Sequence, residues 1–281
     1  MTHENTIPAA LALEGLGGPG ALDARGGFAV AADAGYRGIA FATNHKELNP
    51  DELGPSARRH VKSLLATKGL AVESVRVAVP RGQAGGGLSE AATIDRTLEN
   101  ARKGMLLARE LGVRTVAMHV GDLTRLAGAA GGTGLPEGTV ISALRELAQQ
   151  ADAAGLTLAL SAEGAEAFAR ILKGVDFDRA KVNLDGARLI GAGEDALKVA
   201  EEFHGEIGQF TADDAVRAGS KVRAALLGEG QLPLEALMEI LREQGFSGPL
   251  VVDVRDLPDG IAGARHAAAV LAGILRRSSR G

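Results

Sequence analysis

The feature that most constrains the fold of this chain is a series of short apolar runs separated by longer amphipathic segments. Apolar runs with little polar alternation are typical of parallel strands that are covered on both faces. Eight runs of this kind are predicted strands: Ala9–Gly15, Gly38–Thr43, Val72–Pro80, Arg114–Gly121, Leu156–Gly164, Lys181–Ala187, Glu206–Asp214 and Pro249–Asp256.

The segments between these runs have helical periodicity. Between residues 93 and 113, for example, Ile94, Leu98, Ala101 and Met105 fall on one stripe of a helix. Several segments end in glycine just before the next strand, as in KGLAV, LGVRT and AGLTL. Glycine readily adopts the left-handed conformation that ends a helix. Eight strand–helix units therefore predict an α/β protein, a single (β/α)8 barrel over residues 1–281, with flexible ends at 1–6 and 277–281.

A doubly wound open sheet is the alternative fold. The glycine-rich stretch after the first predicted strand, Gly15–Gly20, lacks the G-x-G-x-x-G spacing of a dinucleotide-binding turn. Two further glycine-rich stretches, at 81–87 and 126–134, follow strand ends but lack the Gly-Lys-Ser/Thr of a phosphate-binding loop. We interpret all of them as loops.

Composition excludes several classes of function. The chain has no cysteine, which rules out disulfides, thiolate catalysis and cysteine-bound metal clusters. Its first residues carry no basic region, and their apolar run is too short to cross a membrane. The net charge of −4 comes with no tract of Lys or Arg, which makes nucleic acid an unfavourable partner. We expect a cytoplasmic protein that does not bind membranes.

In a barrel of this class, functional groups lie at the carboxyl ends of the strands. The polar residues at the predicted ends are Glu14, Thr43, Arg76, His119, Ser161, Glu163, Asp185, Arg188, Gln209, Thr211, Asp213, Asp214, Asp253 and Arg255. His119 is the one histidine of six at a strand end, and it is a candidate acid–base group or a ligand for a substrate hydroxyl.

Several segments resemble a known family, namely AADAGYRGIAF, NARKGMLLARELGVRTVAMHVGD, VNLDGARLIGAGEDALKVAEEF and IGQFTADDA. In order and phrasing the chain is similar to the xylose isomerase-like TIM-barrel superfamily. That superfamily includes sugar and sugar-phosphate isomerases and epimerases, and AP endonucleases of the endonuclease IV type. The resemblance implies a barrel fold and a carbohydrate-like ligand. The endonucleases use a histidine-rich cluster of three zinc ions, which these strand ends do not match.

The resemblance also implies where a divalent metal would bind. Epimerases of this family hold one ion with Glu on strand five, Asp on strand six, His on strand seven and Glu on strand eight. By that pattern Asp185 keeps the strand-six acid and Asp253 replaces the strand-eight Glu. Ser161 stands at the Glu of strand five and Thr211 at the metal-binding His of strand seven, with Gln209 at a second histidine. Neutral hydroxyls are poor ligands beside carboxylate and imidazole.

Glu163 offers a substitute ligand, because it lies two residues after Ser161 and so on the same strand face. The candidate metal set is therefore Asp185, Asp253 and Glu163, which would bind Mg²⁺ or Mn²⁺ weakly or not at all.

Without a metal, Asp185 and Asp253 would share a poorly solvated barrel mouth, and like charges there recruit a cation. Arg76 and Arg188 are the candidate cations, since a guanidinium pairs well with carboxylates. The predicted catalytic residues are Asp185, Asp253 and His119. The predicted substrate-binding residues are Arg76, Arg188, Gln209, Thr211, Asp214 and Arg217.

Two functions remain open. One is a carbohydrate isomerase or epimerase that transfers a proton next to a carbonyl, with a weakened or absent metal site. The other is a non-catalytic barrel, a pseudoenzyme, that binds a small sugar-like or anionic ligand or a protein partner.

Overall fold

The computed structural model describes residues 7–16, 22–80, 82, 86–127 and 132–278. The strands are β1 (Ile7–Ala12), β2 (Tyr36–Ala42), β3 (Ala71–Arg76), β4 (Thr115–Asp122), β5 (Thr157–Glu163), β6 (Ala180–Asp185), β7 (Ile207–Ala212), β8 (Asp214–Ala218), β9 (Lys221–Ala225) and β10 (Leu250–Val252). Eight parallel strands close into a barrel in the order β1-β10-β7-β6-β5-β4-β3-β2, and β8 and β9 form a separate hairpin. The predicted (β/α)8 barrel is confirmed, and each predicted strand overlaps a barrel strand.

Helices cover the outside of the barrel. They are α1 (Ala24–Asp33), α2 (Pro55–Thr67), α3 (Ile94–Leu111), α4 (Glu137–Ala153), α5 (Ala165–Val175), α6 (Gly186–Ala192), α7 (Ala196–Glu202), α8 (Leu234–Glu243) and α9 (Gly260–Ser278). In α3 the predicted stripe is the buried one at Ala101 and Met105. The helix ends at Gly112, whose φ of 77° is the left-handed value that glycine favours. Throughout the part of the chain that the structure describes, every helix is too short or too polar to span a bilayer.

The ends of the chain lie mostly outside the described residues. Residues 1–6 and 279–281, predicted to be flexible, are among them, whereas Arg277 and Ser278 belong to the last turn of α9. Much of the three glycine-rich stretches also lies outside the described residues, namely residues 17–20, 81, 83–85 and 128–131.

The side chains inside the barrel are small or polar, whereas the layer between strands and helices is apolar. On one side it is filled by Ala10, Ala12, Ala40 and Val251, which come from β1, β2 and β10. The other buried interior positions include polar side chains such as Gln209, which is 0% exposed. A buried polar group needs a hydrogen-bond partner to offset the loss of water. These side chains must therefore bond to one another.

They do so in a continuous series of hydrogen bonds that crosses the barrel. Ser74 donates to Oε1 of Gln209 at 2.6 Å, and Nε2 of Gln209 donates to the Thr211 hydroxyl at 3.2 Å. Thr211 in turn donates to Oδ1 of Asn183 at 2.9 Å. Because β3 and β7 lie opposite each other in the barrel, this series ties its two sides together. These hydrogen-bonded side chains form a polar layer at the bottom of the barrel mouth.

The hairpin β8–β9 departs from the prediction of one strand over Glu206–Asp214. Strand β7 ends at Ala212, and Asp214 begins the hairpin. The buried Asp214 carboxylate accepts N–H groups from Gly228, Gly230 and Leu232 at 2.9 to 3.0 Å. These bonds hold the turn after β9 against the end of β7.

Candidate functional site

A pocket of about 610 Å³ opens at the carboxyl ends of the barrel strands. Its ionisable lining comes from β3, β4, β5, β6 and the segments that follow β1, β6 and β10: Arg76, His119, Glu163, Asp185, Glu14, Arg188 and Arg255. Neutral hydrogen-bonding groups of Asn44, Ser161, Asn183 and Thr211 add to the polar surface. This is the position where the sequence predicts function.

Arg76 is the centre of the first ion-pair cluster. It ends β3 with its side chain directed into the mouth, where Nη2 donates to Glu14 and Nη1 donates to Asp253. Arg255 contacts the same aspartate, with Nη2 at 2.5 Å from Oδ2 and its backbone N–H at 3.1 Å from Oδ1. The side chains of Arg76 and Asp253 are only 10% and 2% exposed. Two guanidinium groups thus compensate one buried carboxylate.

The pKa of Asp253 reflects this surrounding. Burial alone would raise it, but Arg76 and Arg255 outweigh burial and lower the pKa to about 2. The pKa of Arg76 shifts upward: burial would lower it, yet Asp253 and Glu14 more than offset that effect. Both groups therefore keep their charges over the physiological range.

Arg188 is the centre of a second cluster. Its Nη1 lies 2.9 Å from Oε1 of Glu163, and its Nε lies 3.3 Å from Oδ2 of Asp185. The same Nη1 is 3.4 Å from Nε2 of His119, which contacts Oε2 of Glu163 at 3.0 Å. For Glu163, burial acts to raise the pKa, but His119 and Arg188 together lower it. The predicted pairing of Arg188 with carboxylates is what the geometry shows.

The side chain of Asp185 also bonds to the backbone. Its Oδ1 accepts the N–H of Arg188 at 3.1 Å and so caps the first turn of α6. Nearby, Asp213 is half-buried and accepts the N–H of Ala187 at 2.8 Å. Burial and the carboxylates of Asp185 and Asp253 raise the pKa of Asp213 well above its usual range. The mouth therefore carries a dense group of acids around its arginines.

Three predicted substrate-binding residues lie outside this pocket. Gln209 is one layer deeper than Thr211, because it precedes Thr211 by two residues on the same face of β7. Asp214 is used in the backbone bonds of the hairpin turn. Arg217 is exposed on β8, where its backbone N–H donates to Gln231 at 2.8 Å. Of the predicted set, Arg76, Arg188 and Thr211 line the pocket.

The pocket also contains residues that the sequence did not assign to the site, among them Glu14, Arg255 and Asn183. Glu14 follows the first strand and Arg255 lies two residues after Asp253, so both were visible as polar groups at strand ends. Asn183 lies two residues before Asp185 on β6 and therefore on the same face. The period of two along a strand is the signal that identifies it.

The donor groups do not fit a divalent ion. The three predicted metal ligands, Glu163, Asp185 and Asp253, are each paired with a guanidinium group. Among the described residues, no three carboxylate, imidazole or thiol groups converge as metal ligands do. Ser161 and Thr211 supply only neutral hydroxyls, which compete poorly for Mn²⁺ or Zn²⁺.

The model of the family described as xylose isomerase-like TIM barrel matches residues 28–274. This chain belongs to that family. No curated protein sequence matches this xylose isomerase-like barrel.

Solved structures share the fold of this xylose isomerase-like barrel. A xylose isomerase domain protein from Planctomyces limnophilus superimposes with a TM-score of 0.80 at 17% identity, covering 98% of this chain and 100% of that one. A xylose isomerase-like TIM barrel protein from Mycobacterium smegmatis, solved in complex with magnesium, gives 0.73 at 16% identity over 98% of both chains. D-psicose 3-epimerase from Clostridium cellulolyticum H10, solved with D-tagatose, gives 0.70 at 14% identity over 95% of this chain and 98% of the epimerase. At these identities the likeness establishes the fold alone.

Proposed function

We propose that this xylose isomerase-like barrel binds a small, neutral, carbohydrate-like molecule in its mouth. The observation that carries the proposal is the near balance of charge in a strongly polar pocket. Glu14, Glu163, Asp185 and Asp253 face the guanidinium groups of Arg76, Arg188 and Arg255 in and around the pocket. Carboxylates accept and guanidiniums donate hydrogen bonds, so a polyol finds both kinds of partner.

The same balance argues against a strongly anionic ligand. Four carboxylates against three guanidiniums leave no excess of positive charge for a phosphate, and each guanidinium is already paired. A sugar is therefore favoured over a sugar phosphate, and nucleic acid gains no support. The epimerase solved with D-tagatose has the same fold and supports this ligand class by kinship.

We further propose that binding requires no divalent ion. Mg²⁺ or Mn²⁺ would have to displace a guanidinium from carboxylates that are already neutralised. Arg76 and Arg188 instead supply the positive charge at the mouth and hydrogen-bond donors for ligand oxygens.

Calorimetric titration of chelator-treated protein with neutral ketoses, such as D-psicose and D-tagatose, tests the proposal. Saturable binding of at least one neutral sugar is expected, with inorganic phosphate giving none. Arg255→Gln removes a pocket donor and should weaken binding, while Arg217→Gln, which lies outside the pocket, should not. Binding of phosphate in preference to every neutral sugar would contradict the proposal.

A second candidate is catalysis of carbohydrate isomerisation or epimerisation. The observation that favours it is the contact of His119 with Glu163 on the pocket wall, with Arg188 beside both. Such a pair is suited to move a proton at a carbon next to a carbonyl, while the guanidinium donates hydrogen bonds to the carbonyl oxygen.

Exchange of sugar C–H protons in deuterated water separates catalysis from binding. An active enzyme would introduce deuterium next to the carbonyl, as NMR would show, and His119→Gln would abolish the exchange. Saturable binding without exchange would instead identify a pseudoenzyme.

A further inference from the structure

A second pocket opens at the amino ends of the barrel strands, opposite the mouth. We call it the amino-end pocket. Its volume is also about 610 Å³, and its lining includes the first residues of β4 and β5, Thr115 and Thr157. Functional groups in this fold class lie at the carboxyl ends of the strands. A polar pocket at the other end is therefore not explained by the chemistry of the mouth.

Lys181 carries a positive charge into the bottom of the barrel. It precedes Asn183 and Asp185 on β6 by two and four residues, so all three share the inner face of that strand. A Cβ atom on Gly208 would lie only 2.6 Å from Cβ of Lys181 and 3.0 Å from Cγ2 of Thr157. Glycine at this point of β7 thus leaves room for both side chains. Asn183, in the polar layer, separates the lysine from the mouth.

The amino-end pocket is strongly cationic. Its charged lining residues, among those that the structure describes, are Arg37, Arg114, Arg179, Lys181 and Glu73. Four cations thus face one carboxylate, whereas in the mouth carboxylates outnumber guanidinium groups. The cations are also spread around the ring of strands. Arg37 lies on β2 and Lys181 on β6, which are opposite each other in the closed barrel, and Arg114 directly precedes β4 between them.

The ion pairs at this end are weak competitors for a ligand. Nζ of Lys181 lies 2.6 Å from Glu206, and Nε of Arg179 lies 3.5 Å from Asp152, but these two acids are 55% and 60% exposed. Exposed pairs of this kind contribute at most about 1 kcal/mol. Within the described part of the chain, the Arg114 guanidinium has no ion-pair or hydrogen-bond partner. Anionic groups of a ligand could therefore replace water and exposed acids here.

Helix ends account for only part of this arrangement. Helices α3 and α4 end at this side of the barrel, where Gly112 and Gly155 line the pocket. Carbonyl groups at helix ends carry a partial negative charge that favours nearby cations, but the effect is confined to the last turn. Of the described pocket cations, Lys181 alone donates to a backbone carbonyl, with Nζ 3.4 Å from the oxygen of Gly205. The three arginines need another explanation.

We propose that the amino-end pocket binds a small molecule with two separated anionic groups, either phosphates or carboxylates. One group meets Arg37 on the β2 side and the other meets Lys181 on the β6 side, with Arg114 between them. Guanidinium and ammonium groups both donate charge-assisted hydrogen bonds to these anions. The pocket volume lies within the range of about 300 to 1,000 Å³ that is usual for small-molecule sites. This site is distinct from the mouth and independent of its neutral ligand.

Calorimetric titration at low salt with fructose 1,6-bisphosphate, and separately with citrate, tests the proposal. At least one of them should bind saturably, with one molecule per chain, and more weakly as salt is added. Fructose 6-phosphate and acetate carry a single anionic group and reach only one side of the pocket. Each should therefore bind at least roughly tenfold more weakly than its counterpart with several anionic groups.

Variants on opposite sides of the pocket locate the site. Arg37→Gln and Lys181→Gln should each weaken binding by about tenfold or more, because each removes a charged hydrogen-bond donor. Arg170→Gln is the matched control, since Arg170 and Arg37 are both 53% exposed and both paired with glutamate. It should leave the affinity unchanged. Arg255→Gln, which alters the mouth, should also leave it unchanged.

The two titrations also distinguish the ligand chemistries. Binding of the bisphosphate alone would assign the pocket to phosphates, and binding of citrate alone would assign it to carboxylates; either supports the proposal if the two pocket variants weaken it. Saturable binding of neither compound overturns the proposal. Binding that survives both Arg37→Gln and Lys181→Gln, or that Arg255→Gln abolishes, overturns it as well. Should circular dichroism show that Lys181→Gln does not fold, Arg114→Gln, at an exposed position, takes its place.

Discussion

Replacing Arg76 by methionine tests whether the buried ion pairs hold the mouth together. Methionine keeps most of the aliphatic volume, so the change mainly removes the guanidinium. Glu14 would keep its bond from the Ala42 N–H, and Asp253 would keep Arg255. The variant therefore leaves the buried carboxylate of Asp253 and the half-buried carboxylate of Glu14 with reduced compensation, but it does not leave either of them entirely unpaired.

The expected cost follows from burial. Breaking a buried ion pair from one side costs about 3 to 5 kcal/mol, because the remaining charge stays in a poorly solvated place. The lower end applies here, since Asp253 retains Arg255 and Nε of Arg76 has no hydrogen-bond partner to lose. A separate estimate comes from Asp253: lowering its pKa from 3.8 to about 2 corresponds to about 2 kcal/mol of stability. We expect a loss of about 3 kcal/mol.

The pH dependence has a defined sign. Because the pKa of Asp253 is lowered on folding to about 2, its contribution is full above 3.8 and is lost as the pH falls toward about 2. In Arg76→Met that contribution is smaller at every pH. The stability difference between the two proteins should accordingly be largest near neutral pH and shrink in acid.

Urea unfolding followed by circular dichroism, at about pH 7 and about pH 3, measures both effects. Arg37→Met is the matched control, since Arg37 pairs with Glu73 at 3.2 Å but is 53% exposed. Such a surface pair is worth less than about 1 kcal/mol. A loss in Arg76→Met no larger than in Arg37→Met, or one that stays constant between the two pH values, would refute the reasoning.

Two further substitutions address residues outside the pocket. Asp214→Ala removes the acceptor for the backbone N–H groups of the 228–232 turn and should cost about 3 kcal/mol in thermal or urea unfolding while leaving the affinity for a bound sugar unchanged. Gln209→Leu leaves the buried hydroxyl of Ser74 without its acceptor and should cost about 1 to 3 kcal/mol, measured the same way, whereas the double change with Ser74→Ala should recover part of that loss.

The barrel was predictable because its signals are local. Each strand is a buried apolar run, and glycines such as Gly112 mark helix ends. Both features can therefore be identified from short stretches of the sequence. The hairpin β8–β9 was missed because its strands are solvated and bury little apolar surface. Val222, for example, is 47% exposed, which leaves no alternation to detect.

The position of the site was predictable from the sequence, but only some of its ion pairs were. Strand ends identify Asp185, Asp253 and Arg188, and the spacing of three between Asp185 and Arg188 anticipates their contact. The bridge from Arg76 to Glu14 joins residues 62 positions apart. It depends on the closed order of β1, β2 and β3 and on the reach of a flexible side chain, neither of which has a sequence period.

The hydrogen-bond chain across the barrel restricts how this protein can change by mutation. The hydroxyl of Thr211 accepts from Gln209 and donates to Asn183, so both neighbours depend on it. A histidine introduced at that position would replace one hydroxyl oxygen by a larger ring with two separated nitrogens, so the bonds to Gln209 and Asn183 could not both keep their geometry unless those residues changed as well. Placing an imidazole at this position of β7 thus requires several simultaneous substitutions, and each single step passes through a less stable protein. The hydrogen bonds across the barrel therefore disfavour any single substitution that introduces a histidine at position 211.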